Sequence, residues 1–282
     1  MRIYQTRKLL AEGVLPAPSP VSDLDGLKKR LSALGLEFAS EALGEHLTQA
    51  AKETMGPGAF LDVLMRTELQ RREERRIRLA LKISGLPTGQ TVANFDFAFQ
   101  PAIERSRIET LATCGWIHEK RTLLIQGPPG VGKTHLAVAL GVKAIECGFS
   151  VCFYRLEDLL HTMKKHAEFP TDRLRHKKYM AANLLVIDEM GFQAMTREEA
   201  NLFFRLASYR YQRGSICITT NKGIKDWPET FAGDEVLATA VLDRLLHASH
   251  VLNVRGQSYR LRDLEQSLRQ KEKEALPEAA QI

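Results

Sequence analysis

A chain of 282 residues with 44% apolar and 26% charged side chains has an ordinary globular balance, with room for one α/β domain and a smaller attached one. No apolar run approaches the roughly 18 residues of a membrane span, and Met1-Arg2-Ile3-Tyr4-Gln5 leads into no continuous apolar stretch, so neither a spanning helix nor a secretory signal is expected. The net charge of +6 permits a polyanionic partner, while Cys114, Cys147, Cys152 and Cys217 form no C-x-x-C pair and read as thiols in a reducing cytoplasm.

Pro16, Pro18 and Pro20 mark residues 1–23 as a flexible leader. Residues 24–85 read as a helical N-terminal domain. Leu24, Leu27, Leu31 and Leu34 recur at helical spacing, as do Phe60, Leu61, Leu64 and Met65, and Gly56-Pro57-Gly58 divides the region into two or three helices. Arg71, Arg72, Arg75, Arg76 and Arg78, interrupted by Glu73 and Glu74, are open to two readings: a solvated face stitched by ion pairs, or a phosphate-tracking stripe or subunit contact. Gly85-Leu86-Pro87-Thr88-Gly89 closes this region. Beyond it, over 86–265, strands Thr122–Gln126, Ser150–Tyr154, Leu184–Asp188, Ser215–Thr219 and His250–Val254 alternate with helices long enough for parallel crossovers. Such an α/β sheet binds its ligand at the carboxyl ends of the strands. Residues 266–282 read as a tail.

Gly127-Pro128-Pro129-Gly130-Val131-Gly132-Lys133-Thr134 follows the first of these strands and precedes a helix predicted over His135–Cys147. The spacing G-x-x-x-x-G-K-[ST] in that context aims backbone N–H groups and a positive helix end at one point, which fits a nucleoside triphosphate. Lys133 is expected to meet the β- and γ-phosphates and the Thr134 hydroxyl to bind Mg²⁺, with His135 beside them. Leu184-Leu185-Val186-Ile187 ends in Asp188 and Glu189, placed for a Mg²⁺ partner and for the base that readies water; capping of the next helix is the other reading. Asn221 after Thr219-Thr220 is either a sensor of the terminal phosphate or an Asx-turn residue. Arg244, on the helix predicted over Glu235–His247, either pairs with Asp243 or another neighbour, or projects into another subunit's site.

The Gly127–Thr134 loop, Ile187-Asp188-Glu189-Met190-Gly191-Phe192, Thr219-Thr220-Asn221 and Ala240-Val241-Leu242-Asp243-Arg244-Leu245-Leu246-His247 closely resemble the IstB-like ATPases. The likeness runs from about Leu24 to Arg262, including Asn94-Phe95-Asp96-Phe97 and Gly256-Gln257-Ser258-Tyr259-Arg260. It implies an AAA+ P-loop αβα sandwich with a five-stranded parallel sheet of order 5-1-4-3-2, a helical domain in front and no full C-terminal lid. It also implies a bacterial cytoplasmic ATPase that uses ATP and Mg²⁺, forms homo-oligomers on DNA and assists a transposase of the same element. A helicase loader similar to DnaC and a nucleotide-gated adaptor with incidental hydrolysis are the alternatives.

In the resemblance, Arg244 takes the position of an arginine finger and Leu86–Phe95 walls the adenine, whereas no lid arginine can be assigned. Related ATPases face nucleic acid with a helical insertion after the second strand. Here that insertion, Arg155–Met180, carries Lys164, Lys165, Arg173, Arg175, Lys177 and Lys178. These cations track phosphates or simply solvate a helix, and Phe169 and Tyr179 either stack on bases or belong to the core. His46, His118 and His135 taken singly fit structural or surface roles.

Overall fold

The computed structural model describes residues 23–262; the leader (but for Asp23), residues 263–265 and the tail at 266–282 lie outside that range. The chain divides between Arg76 and Ile77 into two compact units. In the first, helices Leu24–Ala33, Glu37–Lys52 and the early turns of Pro57–Ser84 enclose Ala39, Leu43 and Leu64, with Leu27, Leu31 and Phe60 packed around them. The glycine-proline break lies where the third helix begins, with Pro57 as its first residue. Leu34 departs from the predicted stripe: it caps the first helix and is exposed. Of the arginine stripe, Arg71 reaches Glu41 at 3.7 Å, Arg72 meets the buried Glu68 at 2.5 Å and Arg76 meets Glu73 at 2.5 Å. His46 bonds the Thr67 hydroxyl at 2.9 Å, in keeping with a structural role.

The second unit is built on five parallel strands: β1 Thr122–Gln126, β2 Val151–Arg155, β3 Leu184–Met190, β4 Ser215–Thr220 and β5 Ser249–Asn253, in the order β2-β3-β4-β1-β5. This is the expected order, read from the other edge. Apolar clusters cover both faces, as a doubly wound sheet requires: Leu124, Leu185, Ile187 and Ile218 lie in one, Leu123, Ile125, Val186 and Cys217 in the other. Boundaries shift by a residue or two, for physical reasons. Ser150 stays outside β2 because its N–H and hydroxyl both bond Asn183 Oδ1, at 2.9 and 2.7 Å. Cys114, Cys152 and Cys217 are buried and Cys147 exposed, all as free thiols. Among the described residues no helix is long and apolar enough to cross a membrane.

One buried cation holds a seam of this unit. Arg210, 1% exposed, donates to the carbonyls of Tyr179, Met180, Ala182, Asn183 and Ser215 at 2.7–3.3 Å. Burial pulls its guanidinium down to about 10. Gly214 leaves room for it, since a Cβ there would lie 2.6 Å from Arg210 Nη2. Arg210→Met removes the cation's desolvation cost but strands these acceptors, so a net loss of about 2–3 kcal/mol is expected in urea unfolding.

Candidate functional site

The phosphate loop connects β1 to the helix Lys133–Glu146 and lies at the carboxyl edge of the sheet, beside the ends of β3 and β4. Gly130 and Gly132 adopt φ of +79° and +94°, which side chains rarely take. Added Cβ atoms would meet Ser258 Oγ at 2.0 Å and Phe95 Cε2 at 2.8 Å, so two other segments press on the loop. These segments also bond to the loop and to each other. Tyr259 N–H donates to Gly130 O at 3.0 Å, Tyr259 Oη to Asp96 O at 2.7 Å, and Gln100 Nε2 to Gln257 O at 2.8 Å. Arg262 meets the Asp96 carboxylate at 3.1 Å and lies 4.3 Å over the Phe99 ring. Hydrogen bonds from the Phe99 backbone and from Arg262 hold the Asp96 carboxyl below the usual range.

A cavity of about 490 Å³ opens between these walls. Its lining includes Pro129, Gly130, Gly132, Lys133 and Thr134 of the loop, Glu189 and Asn221, and Arg260 from the segment after β5. Gln90, Asn94, Phe95, His135 and Tyr259 also line it. Gly127 and Pro128 border a shallower cavity of about 370 Å³ instead, and Val131 is buried in the apolar core. Those three support the loop rather than line the larger cavity.

Thr134 Oγ1 donates to Asp188 Oδ1 and Oδ2 at 2.9 and 3.1 Å, and Thr219 Oγ1 also donates to Asp188 Oδ1. Asp188, 3% exposed, is thus fixed by two hydroxyls. The ladder between β3 and β4 shifts register between Ile187↔Ile218 and Met190↔Thr220, so β3 carries one extra residue there. That bulge accounts for the contrast between the two acids. Glu189 sits at φ +62°, its N–H bonded to Thr219 Oγ1 at 3.1 Å, and its carboxylate turns outward to the cavity. Arg155, the last residue of β2, approaches that carboxylate at 3.6 Å, where Glu189 also borders a second cavity of about 170 Å³ that Arg155 lines.

Lys133 Nζ donates to Pro128 O at 2.7 Å. Burial pulls its ammonium below the usual range; Asp188 opposes this, and the nearby Arg260 guanidinium adds to it. Two cations therefore converge on one cavity, an arrangement that multiple phosphate charges relieve. His135 Nε2 lies 2.9 Å from Thr91 O and 3.1 Å from Asn94 Oδ1, both acceptors, so this nitrogen carries the proton. It ties the strap before Phe95 to the loop helix.

The chain belongs to the IstB-like ATP-binding proteins. Residues 29–267 match that family. The chain is 44% identical over 84% of its length, and 89% of the relative, to an IS21 insertion-sequence ATP-binding protein of Pseudomonas aeruginosa. It is 36% identical over 82% of its length, and 91% of the relative, to an IS5376 ATP-binding protein of Geobacillus stearothermophilus. A DNA replication initiation factor of known structure shares the fold, with a TM-score of 0.51 and 18% identity over 66% of this chain and 56% of that one. The IstB-like chain is accordingly a P-loop ATPase whose five-stranded parallel α/β core shares that factor's fold.

Of the residues singled out in the sequence, Lys133, Thr134, Asp188, Glu189 and Asn221 come together here. Arg244 does not. Its Nη1 donates to Ala240 O at 2.6 Å and its guanidinium lies 4.7 Å over the Phe204 ring, outside the cavity of its own chain. Sequence reasoning gave no role to Arg260, Arg262, Tyr259 or Thr219. Arg255, Arg260 and Arg262, following the last strand within eight residues, were the available signal.

The insertion after β2 forms helices Leu156–Lys165, Thr171–Arg175 and Lys178–Ala181. Lys164 is engaged by Glu199 at 2.8 Å and Arg175 by Asp172 at 3.5 Å, whereas Lys165 and Lys178 are exposed. Tyr179 is a core aromatic, 2% exposed. Arg173 and Lys177 lie against Phe169, at 5.6 and 4.6 Å from its ring centre.

Proposed function

We propose that this IstB-like chain hydrolyses ATP while assembled with further copies on duplex DNA, and that it serves the transposase of its insertion sequence. The observation that carries the reading is the gathering of Lys133, Thr134, Asp188, Glu189, Asn221 and Arg260 about one cavity. The names of its relatives, insertion-sequence ATP-binding proteins, support the context.

The loop's N–H groups and the helix start at Lys133 hold the phosphate tail, with Lys133 and Arg260 set against its charge. The Thr134 hydroxyl and Asp188 carboxylate offer oxygen donors suited to a hard cation and would hold Mg²⁺. Bound there, the ion would neutralise charge on the β- and γ-phosphates. Glu189 takes the proton from a water that Asn221 orients toward the γ-phosphorus; the bond to the bridging oxygen breaks, and ADP and phosphate result. Arg244 acts on the site of an adjoining copy, a contribution on the order of 10³–10⁵ in rate for such arginines. Lys165, Lys178, Arg173 and Lys177 supply phosphate contacts without base readout.

A mixing experiment tests the assembly. Glu189→Gln and Arg244→Ala chains should each be nearly inactive alone with ATP and duplex DNA. Mixed in equal amounts, they should recover about a quarter of the parent rate, because an intact Arg244 then meets an intact Glu189 across some interfaces. No recovery, with both variants binding ATP, excludes the trans role of Arg244; no retention of duplex DNA by the parent chain excludes the DNA reading.

A further inference from the structure

The insertion after β2 contains a layered stack whose arrangement goes beyond a basic surface. His166 caps the helix Leu156–Lys165. Its ring stacks on Phe169 at 5.0 Å with 26° between planes, and on Tyr179 at 5.9 Å with 14° between planes. Its Nδ1 lies 3.2 Å from Tyr179 Oη. Arg173 and Lys177 lie against Phe169, the far layer of this stack. Among the described residues neither of these two cations has a carboxylate partner, unlike Lys164 and Arg175 on the same insertion. The aromatic ring positions them while leaving their charge unneutralised.

We propose that Arg173 and Lys177, seated on Phe169, form one phosphate-contact point for duplex DNA, and that His166 takes up a proton when that point is occupied. The inference rests on the DNA reading above and adds a regulatory input to it. The groups around the imidazole are Phe169, Tyr179, Lys177 and, against the Phe169 ring, Arg173. Burial raises the Tyr179 phenol and keeps it neutral, and the acid nearest in sequence, Glu168, is exposed. Burial and the Lys177 ammonium hold His166 below its ordinary value, so the ring is neutral at neutral pH. A phosphate on Lys177 cancels that repulsion and raises the proton affinity of the imidazole. The sign follows from linkage: a group that titrates higher in the bound state strengthens binding at pH below its bound value, and the gain fades as pH rises through it.

Binding of the full chain to a short mixed-sequence duplex, followed by fluorescence anisotropy at constant ionic strength, tests this. From about pH 7.5 to about pH 6 the affinity should rise roughly three- to fivefold, inside the tenfold that one pKa unit allows. His166→Gln should flatten that rise while keeping ATP affinity. Lys177→Met should weaken binding several-fold and flatten the rise as well. Calorimetry of the parent chain in buffers of differing ionisation heat gives a readout free of mutation, and should register uptake of a fraction of a proton near pH 6.5. Zero uptake, or a His166→Gln slope equal to the parent's, overturns the proton-linked contact while leaving DNA binding in place. A parent chain that ignores the duplex at every pH overturns the DNA reading and this inference together.

Discussion

Glu189→Gln is expected to leave ATP bound and nearly stop its turnover. The amide keeps the volume of the carboxylate, the Glu189 N–H bond to Thr219 and the Thr134–Asp188 pairing, so the phosphate cradle is undisturbed. What is lost is an acceptor for the water's proton, a contribution typically of 10²–10⁴ in rate. Steady-state phosphate release should fall by about that factor, while equilibrium ATP affinity changes by less than about twofold. The ion pair with Arg155 goes too, but it joins half-exposed side chains at 3.6 Å, and such pairs contribute little. A variant retaining half the parent rate would remove Glu189 from the chemistry.

Lys133→Ala should fail earlier, at binding. The ammonium is half-buried beside the phosphate loop, and a charge-assisted contact to a phosphate is worth about 3 kcal/mol, or roughly a hundredfold in affinity. The parent chain should also show a signature in pH. Burial, reinforced by Arg260, lowers the Lys133 value in the free protein, and a triphosphate raises it again. Binding is therefore coupled to the protonated form, and ATP affinity should decline as alkaline pH is raised through the free value. The alanine variant should lack that decline. Titration calorimetry across the alkaline range measures both effects; a variant of parental affinity would place the phosphates elsewhere.

Much of this architecture is legible before folding because a buried parallel strand and a glycine turn are local signals. Thr122-Leu123-Leu124-Ile125-Gln126 forms β1 with the predicted ends, and the turn after it has the conformations that its glycines permit. The residues that escaped prediction are those whose role depends on distant chain. Phe95 and Tyr259 are separated by more than half the sequence, yet their rings lie 6.2 Å apart and both press toward Gly132. No periodicity records such a meeting. Arg260 was likewise visible only as one cation among three, and its approach to Lys133 depends on where β5 ends. The register shift at Asp188 and Glu189 is a further case: adjacent acids on a strand point to opposite faces, but the bulge re-aims the second toward the cavity. The polarity of the Phe169 region was legible; the cover that Arg173 and Lys177 form over its ring was not.

The strand order carries a consequence for biosynthesis. β1, which launches the phosphate loop, is flanked by β4 and β5, and both are encoded well downstream of it. A nascent chain leaving the ribosome therefore exposes Leu123, Leu124 and Ile125 with no neighbouring strand until residues beyond 215 have emerged, and the second neighbour arrives only with residues 249–253. Non-local parallel pairing of this kind closes slowly. The nucleotide cradle thus matures only once β5 has emerged, and a message cut short before β5 yields a protein in which β1 lacks one of its two neighbours.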